Sequence, residues 1–148
     1  MIDGNLMDEV KLVNCITVTA GAAGTSAING TPIDLAGYDG VCFIFKFGPI
    51  VAGAVTAIKV QEDTVVGMGS AADVAGTGQT VADTDDDTYK VCDIKRPLKQ
   101  FLRPVVSRGT QAATVTCDAL LYRPRTRPPT QPAGVAVEKF QTPAEGTA

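Results

Sequence analysis

Short runs in which apolar and polar residues alternate are the feature that most constrains the fold of this chain. Such alternation predicts half-buried β-strands, because successive side chains of a strand point to opposite faces of a sheet. The runs are rich in valine, isoleucine and threonine, which favour strands. Six of them and no long helical period predict an all-β fold, an antiparallel sandwich or barrel of the jelly-roll or immunoglobulin-like kind. The predicted strands cover residues 10–19, 41–47, 55–62, 89–94, 101–107 and 114–122.

The run at residues 41–47, with the sequence VCFIFKF, is apolar on both of its faces. One face carries Phe43, Phe45 and Phe47, and the other carries Cys42 and Ile44. A strand with two apolar faces is typical of the centre of a sheet that is covered on both sides. This segment is therefore predicted to be a central strand that is buried on both faces.

Proline and glycine mark the predicted ends and edges of the strands. Gly48 and Pro49 are expected to end the central strand. Pro104 cannot donate to a strand ladder and is expected to place its strand at a sheet edge or a bulge. Residues 63–88 are rich in glycine and aspartate, so they are predicted to form a long excursion over the surface.

The last 25 residues differ from the rest of the chain. Five of the nine prolines follow Arg123, and the apolar period disappears there. Such a segment has few backbone donors and cannot bury enough surface to fold alone. The sequence therefore predicts a β-sandwich domain over residues 1–123 and an extended C-terminal arm over residues 124–148 that docks on other subunits.

Charge is strongly polarised along the chain, although the formal net charge is only −3. Residues 1–94 carry four lysines against thirteen acidic residues, a net charge of −9. Residues 95–127 carry eight basic residues against one aspartate, a net charge of +7. A basic strip beside an acidic domain can pair with the acidic surface of a partner subunit or of a second copy.

The residues predicted to bind a partner come from this strip and from the arm. Alternating arginines on an extended backbone can pair with carboxylates through their guanidinium groups. A solubilising tail is the alternative, and nucleic acid is a third option for which aromatic stacking residues are missing nearby. An apolar patch in the arm is suited to adding a strand to a neighbour's sheet. The predicted residues are Lys95, Arg96, Lys99, Arg103, Arg123, Arg125 and Arg127, with Val135, Val137 and Phe140 forming the apolar patch.

Catalysis, cofactors and metals have little support in the sequence. Histidine is absent, and with it the commonest general base and metal ligand. No catalytic residue is predicted, and the protein is expected not to be an enzyme. The acidic run at residues 83–87 lacks the spacing of a calcium loop and is predicted to be a solvated loop. The four cysteines have no metal-site spacing and are expected to be small buried residues, with a disulfide as the minority interpretation.

Several segments resemble a family of small structural proteins encoded in the head gene clusters of tailed bacteriophages, the capsid decoration or cement proteins. Together they span most of residues 30–148. The matching segments are DLAGYDGV at 34–41, AADVAGT at 71–77, DIKRP at 93–97, FLRPVV at 101–106, LYRPR at 121–125 and PAEGTA at 143–148.

The resemblance implies a β-sandwich subunit, often a trimer, that sits on the outside of the assembled shell and clamps neighbouring major capsid proteins. It implies a virion protein that is assembled in the bacterial host cytoplasm. The sequence itself shows no signal peptide at residues 1–10 and predicts no contact with membrane or nucleic acid. The alternative is a head–tail connector or tail-tube component. A carbohydrate-binding sandwich is disfavoured, because sugar platforms usually need exposed aromatic residues.

Overall fold

The computed structural model describes residues 4–140 and 145–146, so part of the PAEGTA segment and the outermost residues of both predicted units lie outside the described residues. Two antiparallel sheets pack face to face as a sandwich, which confirms the predicted fold class. A 3-10 turn, Leu6–Asp8, precedes the first strand. In chain order the strands are β1 (Val10–Ile16), β2 (Ile28–Asn29), β3 (Ile33–Asp34), β4 (Gly40–Ile50), β5 (Val55–Asp63), β6 (Ala72–Asp73), β7 (Gln79–Val81), β8 (Tyr89–Lys95), β9 (Phe101–Gly109) and β10 (Ala113–Tyr122).

The four-stranded sheet has the order β1-β10-β4-β8. In the six-stranded sheet β9 and β5 are central; β2 and β3 pair with β9, and β6 and β7 pair with β5. All six predicted strands are present, and the four short strands β2, β3, β6 and β7 were not predicted. The segment 63–88 thus contributes β6 and β7 to the sheet rather than only passing over the surface.

The core lies between the inner faces of the two sheets. Phe43, Phe45 and Phe47 of β4 are fully buried there. Cys42 and Ile44, on the other face of β4, are only half-buried. The prediction that β4 is buried on both faces is therefore wrong for the single chain, because its outer face carries no second layer among the described residues.

Strand β4 does not end at Gly48 and Pro49 as expected. It continues to Ile50, and its register against β10 shifts by one residue between the pairs Val115↔Phe47 and Ala113↔Ile50. The extra residue forms a β-bulge, where a residue without an N–H is tolerated.

Of the two positions expected for Pro104, a sheet edge or a bulge, the edge is wrong, because Pro104 lies in a central strand. It pairs with Val60 of β5 on one side and lies opposite the break between β2 and β3 on the other. At this break Gly30 donates its N–H to the Pro104 carbonyl at 2.8 Å. A Cβ at Gly30 would lie only 2.6 Å from the proline ring, so glycine permits the close approach.

The acidic run at residues 83–87 braces the turn between β4 and β5 instead of remaining a purely solvated loop. Asp83 accepts the N–H of Gly53 and Asp86 accepts the N–H of Ile50, each at 2.7 Å. Asp85 pairs with Lys90 at 3.0 Å. Among residues 4–140 and 145–146, no group of three or more potential ligands is arranged to hold a metal ion.

All four cysteines are free thiols. Cys15, Cys92 and Cys117 are buried, as predicted, whereas Cys42 is half-buried on the outer face of the four-stranded sheet. Burial raises the pKa of Cys15 to about 12 and also raises that of Cys117. The buried thiols are therefore kept neutral and act as small apolar residues.

Candidate partner-binding surface

A groove with basic side chains lies at one end of the sandwich, where three separate segments of the chain meet. The first is the loop between β3 and β4, the second is the loop between β8 and β9, and the third is the start of the arm. We call this the basic groove; its main part has a volume of about 430 Å³ and is lined by residues 35–39, residues 96–100 and Arg125. A second part of about 270 Å³ adjoins it and is lined by Lys11, residues 36–38, residues 124–126 and residues 128–130.

Backbone hydrogen bonds tie the three segments of the basic groove together. Leu35 donates its N–H to the Gln100 carbonyl at 3.0 Å, and Arg96 donates to the Asp39 carbonyl at 2.7 Å. Arg125 at the start of the arm donates to the Gly37 carbonyl at 2.8 Å. The groove is thus held by the backbone and does not depend on the positions of long side chains.

Cations dominate the groove. Arg96, Lys99 and Arg125 line its main part, where Asp39 is the acidic lining residue among those described. Arg123 lies 3.6 Å from the Asp39 carboxylate and offsets its charge. The result is a positively charged concave surface that suits the carboxylates of an acidic protein segment. Leu98, which is 92% exposed at the rim, adds an apolar contact point.

The structure therefore brings three of the predicted basic residues together and places the others in different surroundings. Arg96, Lys99 and Arg125 meet in the basic groove. Arg103 instead donates two hydrogen bonds to Gln61 on the six-stranded sheet, at 3.0 and 2.8 Å. Lys95 is exposed at the end of β8. Arg127 pairs with Glu9 at 3.0 Å.

The first half of the arm is folded back along β1 of its own domain, which sequence reasoning missed. Gln131 accepts the N–H of Leu12 at 3.0 Å and donates to the carbonyl of Val10 at 2.7 Å. Its amide thereby imitates the hydrogen bonds of a neighbouring strand on the edge of β1. Pro124 and Pro129 are buried by the same docking. An isolated glutamine in a proline-rich segment gives no sequence signal for this role.

Residues 135–140 of the arm are held near the start of β1. Lys139 pairs with Asp8 in the 3-10 turn before β1. Val135 and Val137 are half-buried, and Phe140 is 63% exposed. Of the predicted apolar patch, Phe140 is thus the residue whose side chain is most exposed.

Fold and surface together define an antiparallel β-sandwich protein with a basic groove and a folded-back arm. No protein-family model matches the chain, and no curated protein matches its sequence. Among solved structures the chain is similar to the crystal structure of PBSX exported protein XepA, with a TM-score of 0.54 and 12% sequence identity. The match covers 96% of this chain and 47% of the XepA chain, so this chain spans about half of that protein's length. At this identity the likeness shows a shared fold.

No helix within the described residues has the length and hydropathy needed to cross a bilayer.

Proposed function

We propose that this chain is a non-enzymatic virion structural protein that binds the outside of a phage capsid and clamps adjacent major capsid proteins. The observation that carries the proposal is the basic groove, in which the domain and the arm jointly present Arg96, Lys99 and Arg125. A groove built from both parts is suited to holding an acidic segment of another protein. The sequence resemblance to decoration proteins implies the same assignment, and the β-sandwich fold, which the chain shares with a PBSX exported protein, is compatible with it.

The apolar patch of the arm supplies a second contact of different chemistry. Phe140 and its half-buried neighbours Val135 and Val137 are apolar, whereas the basic groove attracts carboxylates. Two linked contacts bind more tightly than either one alone, because the second forms at high effective concentration. When the two contacts engage adjacent capsid subunits, both must break before those subunits separate, and this stabilises the shell against internal pressure.

The experiment is cosedimentation of the purified protein with capsids that lack it. Neutralising the groove in a Lys99→Gln, Arg125→Gln double variant should weaken binding by about 30-fold, because each contact of this kind contributes on the order of 1 kcal/mol and the two together about 2 kcal/mol. Binding of the wild type should also weaken as salt is raised.

Lys59→Gln is the control, because it removes a positive charge from β5, away from the groove, where Lys59 pairs with Asp73 at 2.9 Å. It should bind as the wild type does. Equal binding by all three proteins would refute the role of the groove, and the absence of capsid binding by the wild type would refute the proposed function.

A further inference from the structure

The outer face of the four-stranded sheet presents a band of apolar side chains across all four strands. Cross-strand register places Leu12 opposite Leu120, Leu120 opposite Cys42, and Ile44 opposite Val91. Side chains in direct register share one face of a sheet. Val91 is 47% exposed and the other four are half-buried. We call these five residues the apolar band. Cys42 and Ile44, the second apolar face of β4, belong to it.

Several of the polar side chains around the apolar band are already paired within the chain, whereas Lys95, at the end of β8 on the same face, is exposed. Tyr122 donates its hydroxyl to Asp93 at 2.8 Å, and its ring lies over Gly40, where a Cβ would come within 2.4 Å of it. Elsewhere on this face, the Asn14 amide donates to Asp118 at 2.8 Å, and the Lys46 ammonium lies 4.5 Å from the centre of the Tyr89 ring. A partner therefore need not supply hydrogen bonds to these paired groups, and covering them leaves few of their donors and acceptors unsatisfied.

At both edges of this sheet, a glutamine side chain hydrogen-bonds to backbone groups of the edge strand. Gln131 binds the N–H of Leu12 and the carbonyl of Val10 on β1, and Gln79 donates to the carbonyl of Val91 on β8 at 3.1 Å. Edge strands with occupied backbone groups are poor templates for pairing with another strand. Pairing of another strand at either of these positions would first have to displace a glutamine, whereas contact with the face would not.

We infer that the apolar band is the contact between two copies of this chain, packed face to face about a two-fold axis. A second copy fits because it offers the same apolar side chains and the same internally paired polar groups. A strongly acidic partner fits the basic groove instead. When the same patch lies on both sides of a contact, the symmetry is two-fold, so the contact produces a dimer and not the trimer that the sequence resemblance implies.

The size of the face is sufficient for a dimer of modest affinity. Four strands spaced about 4.8 Å apart, with a common length of seven residues at about 3.4 Å each, give a projected area of roughly 450 Å². Standard interfaces bury about 800 Å² of accessible surface per partner. The face supplies more than half of this, which places the contact among the small interfaces of weak, transient complexes.

Sedimentation equilibrium of the full chain from about 1 µM to 1 mM covers the range in which such a contact dissociates. We expect the wild type to pass from monomer to dimer. Val91→Lys buries a charge in the contact and should raise the dissociation constant by at least about tenfold. Val51→Lys is the matched control, since Val51 is 49% exposed in the turn after β4, outside the apolar band, and it should dimerise as the wild type does.

Alkylation of Cys42 gives a second readout that needs no variant. The half-buried thiol lies within the apolar band, so its reaction should slow as the protein concentration rises and the dimer forms. A monomer throughout the range, a trimer, equal effects of Val91→Lys and Val51→Lys, or a concentration-independent alkylation rate would each overturn the inference. None of these outcomes depends on capsid binding, so the inference and the proposed function can fail separately.

Discussion

The glutamine that joins the arm to β1 allows a quantitative test of the folded-back arm. In Gln131→Ala, both hydrogen bonds between the side-chain amide and the β1 backbone are lost. A hydrogen bond of this kind contributes about 1 kcal/mol net, so the pair contributes about 2 kcal/mol to docking of the arm. Because about 1.4 kcal/mol corresponds to a factor of ten, the undocked arm should become roughly 30-fold more populated.

Trypsin reports this population because of where the arm can be cut. Arg125 is followed by threonine, whereas Arg123 and Arg127 are each followed by proline, which blocks trypsin. In the docked arm, Arg125 is held by its hydrogen bond to Gly37. When redocking is faster than cutting, the cleavage rate follows the undocked population. We therefore expect cleavage after Arg125, measured by mass spectrometry, to be about 30-fold faster in the variant.

Gln111→Ala provides the control, because Gln111 is an exposed glutamine in the turn between β9 and β10, remote in sequence from the arm. Its cleavage rate should equal that of the wild type. An increase of less than about threefold in Gln131→Ala, equivalent to less than about 0.7 kcal/mol, would refute the docking role of Gln131.

Three further predictions concern the domain. The Ser70 backbone N–H, together with those of Thr64 and Val65, lowers the pKa of Asp63. The resulting stabilisation of the fold is complete above the unfolded pKa of about 4 and is lost as pH falls through the lower folded pKa. The free energy of unfolding in urea should therefore depend less on pH between about 5 and 3 in Asp63→Asn than in the wild type. Phe45→Ala should lower the free energy of unfolding by about 3–5 kcal/mol, whereas Val55→Ala at an exposed position should change it by less than about 0.5 kcal/mol. Under native, dilute conditions, Cys42 should be alkylated well before Cys15, Cys92 and Cys117, and peptide mapping showing all four modified together would contradict the burial of the other three.

The strands that sequence reasoning predicted are those whose alternation is long enough to be seen. β4 and β10, with 11 and 10 residues, carry repeated apolar positions, and their burial follows that pattern. β2 and β3 contain two residues each, too few to show any period. They form because they hydrogen-bond to β9, and this tertiary contact cannot be predicted from the local sequence.

The basic strip could be predicted as charge but not as geometry. Arg96 and Arg125 are 29 positions apart in sequence, and only the meeting of two loops with the arm brings them to one groove. Arg108 belongs to the same strip, yet its guanidinium donates to the carbonyls of Ala22, Ser26 and Ala113, each at 2.7 Å, and holds the loop before β2. A sequence does not show which group a basic side chain contacts. Basic residues that bind within the fold therefore cannot be distinguished, by sequence, from those available to another protein.

The second apolar face of β4 is evident in the sequence, but the single chain does not bury it. Cys42 and Ile44 form an apolar side that faces outward. The pattern predicts burial on both faces, and a second copy on the outer face would provide it.

The measurement that most directly tests the central proposal is the number of copies of this protein relative to the major capsid protein in purified phage particles, obtained by quantitative mass spectrometry. A protein that clamps capsid subunits over the whole shell should be present in numbers of the same order as the major capsid protein. A count of about a dozen copies per particle, as expected for a closed ring at the head–tail junction, would contradict the proposal.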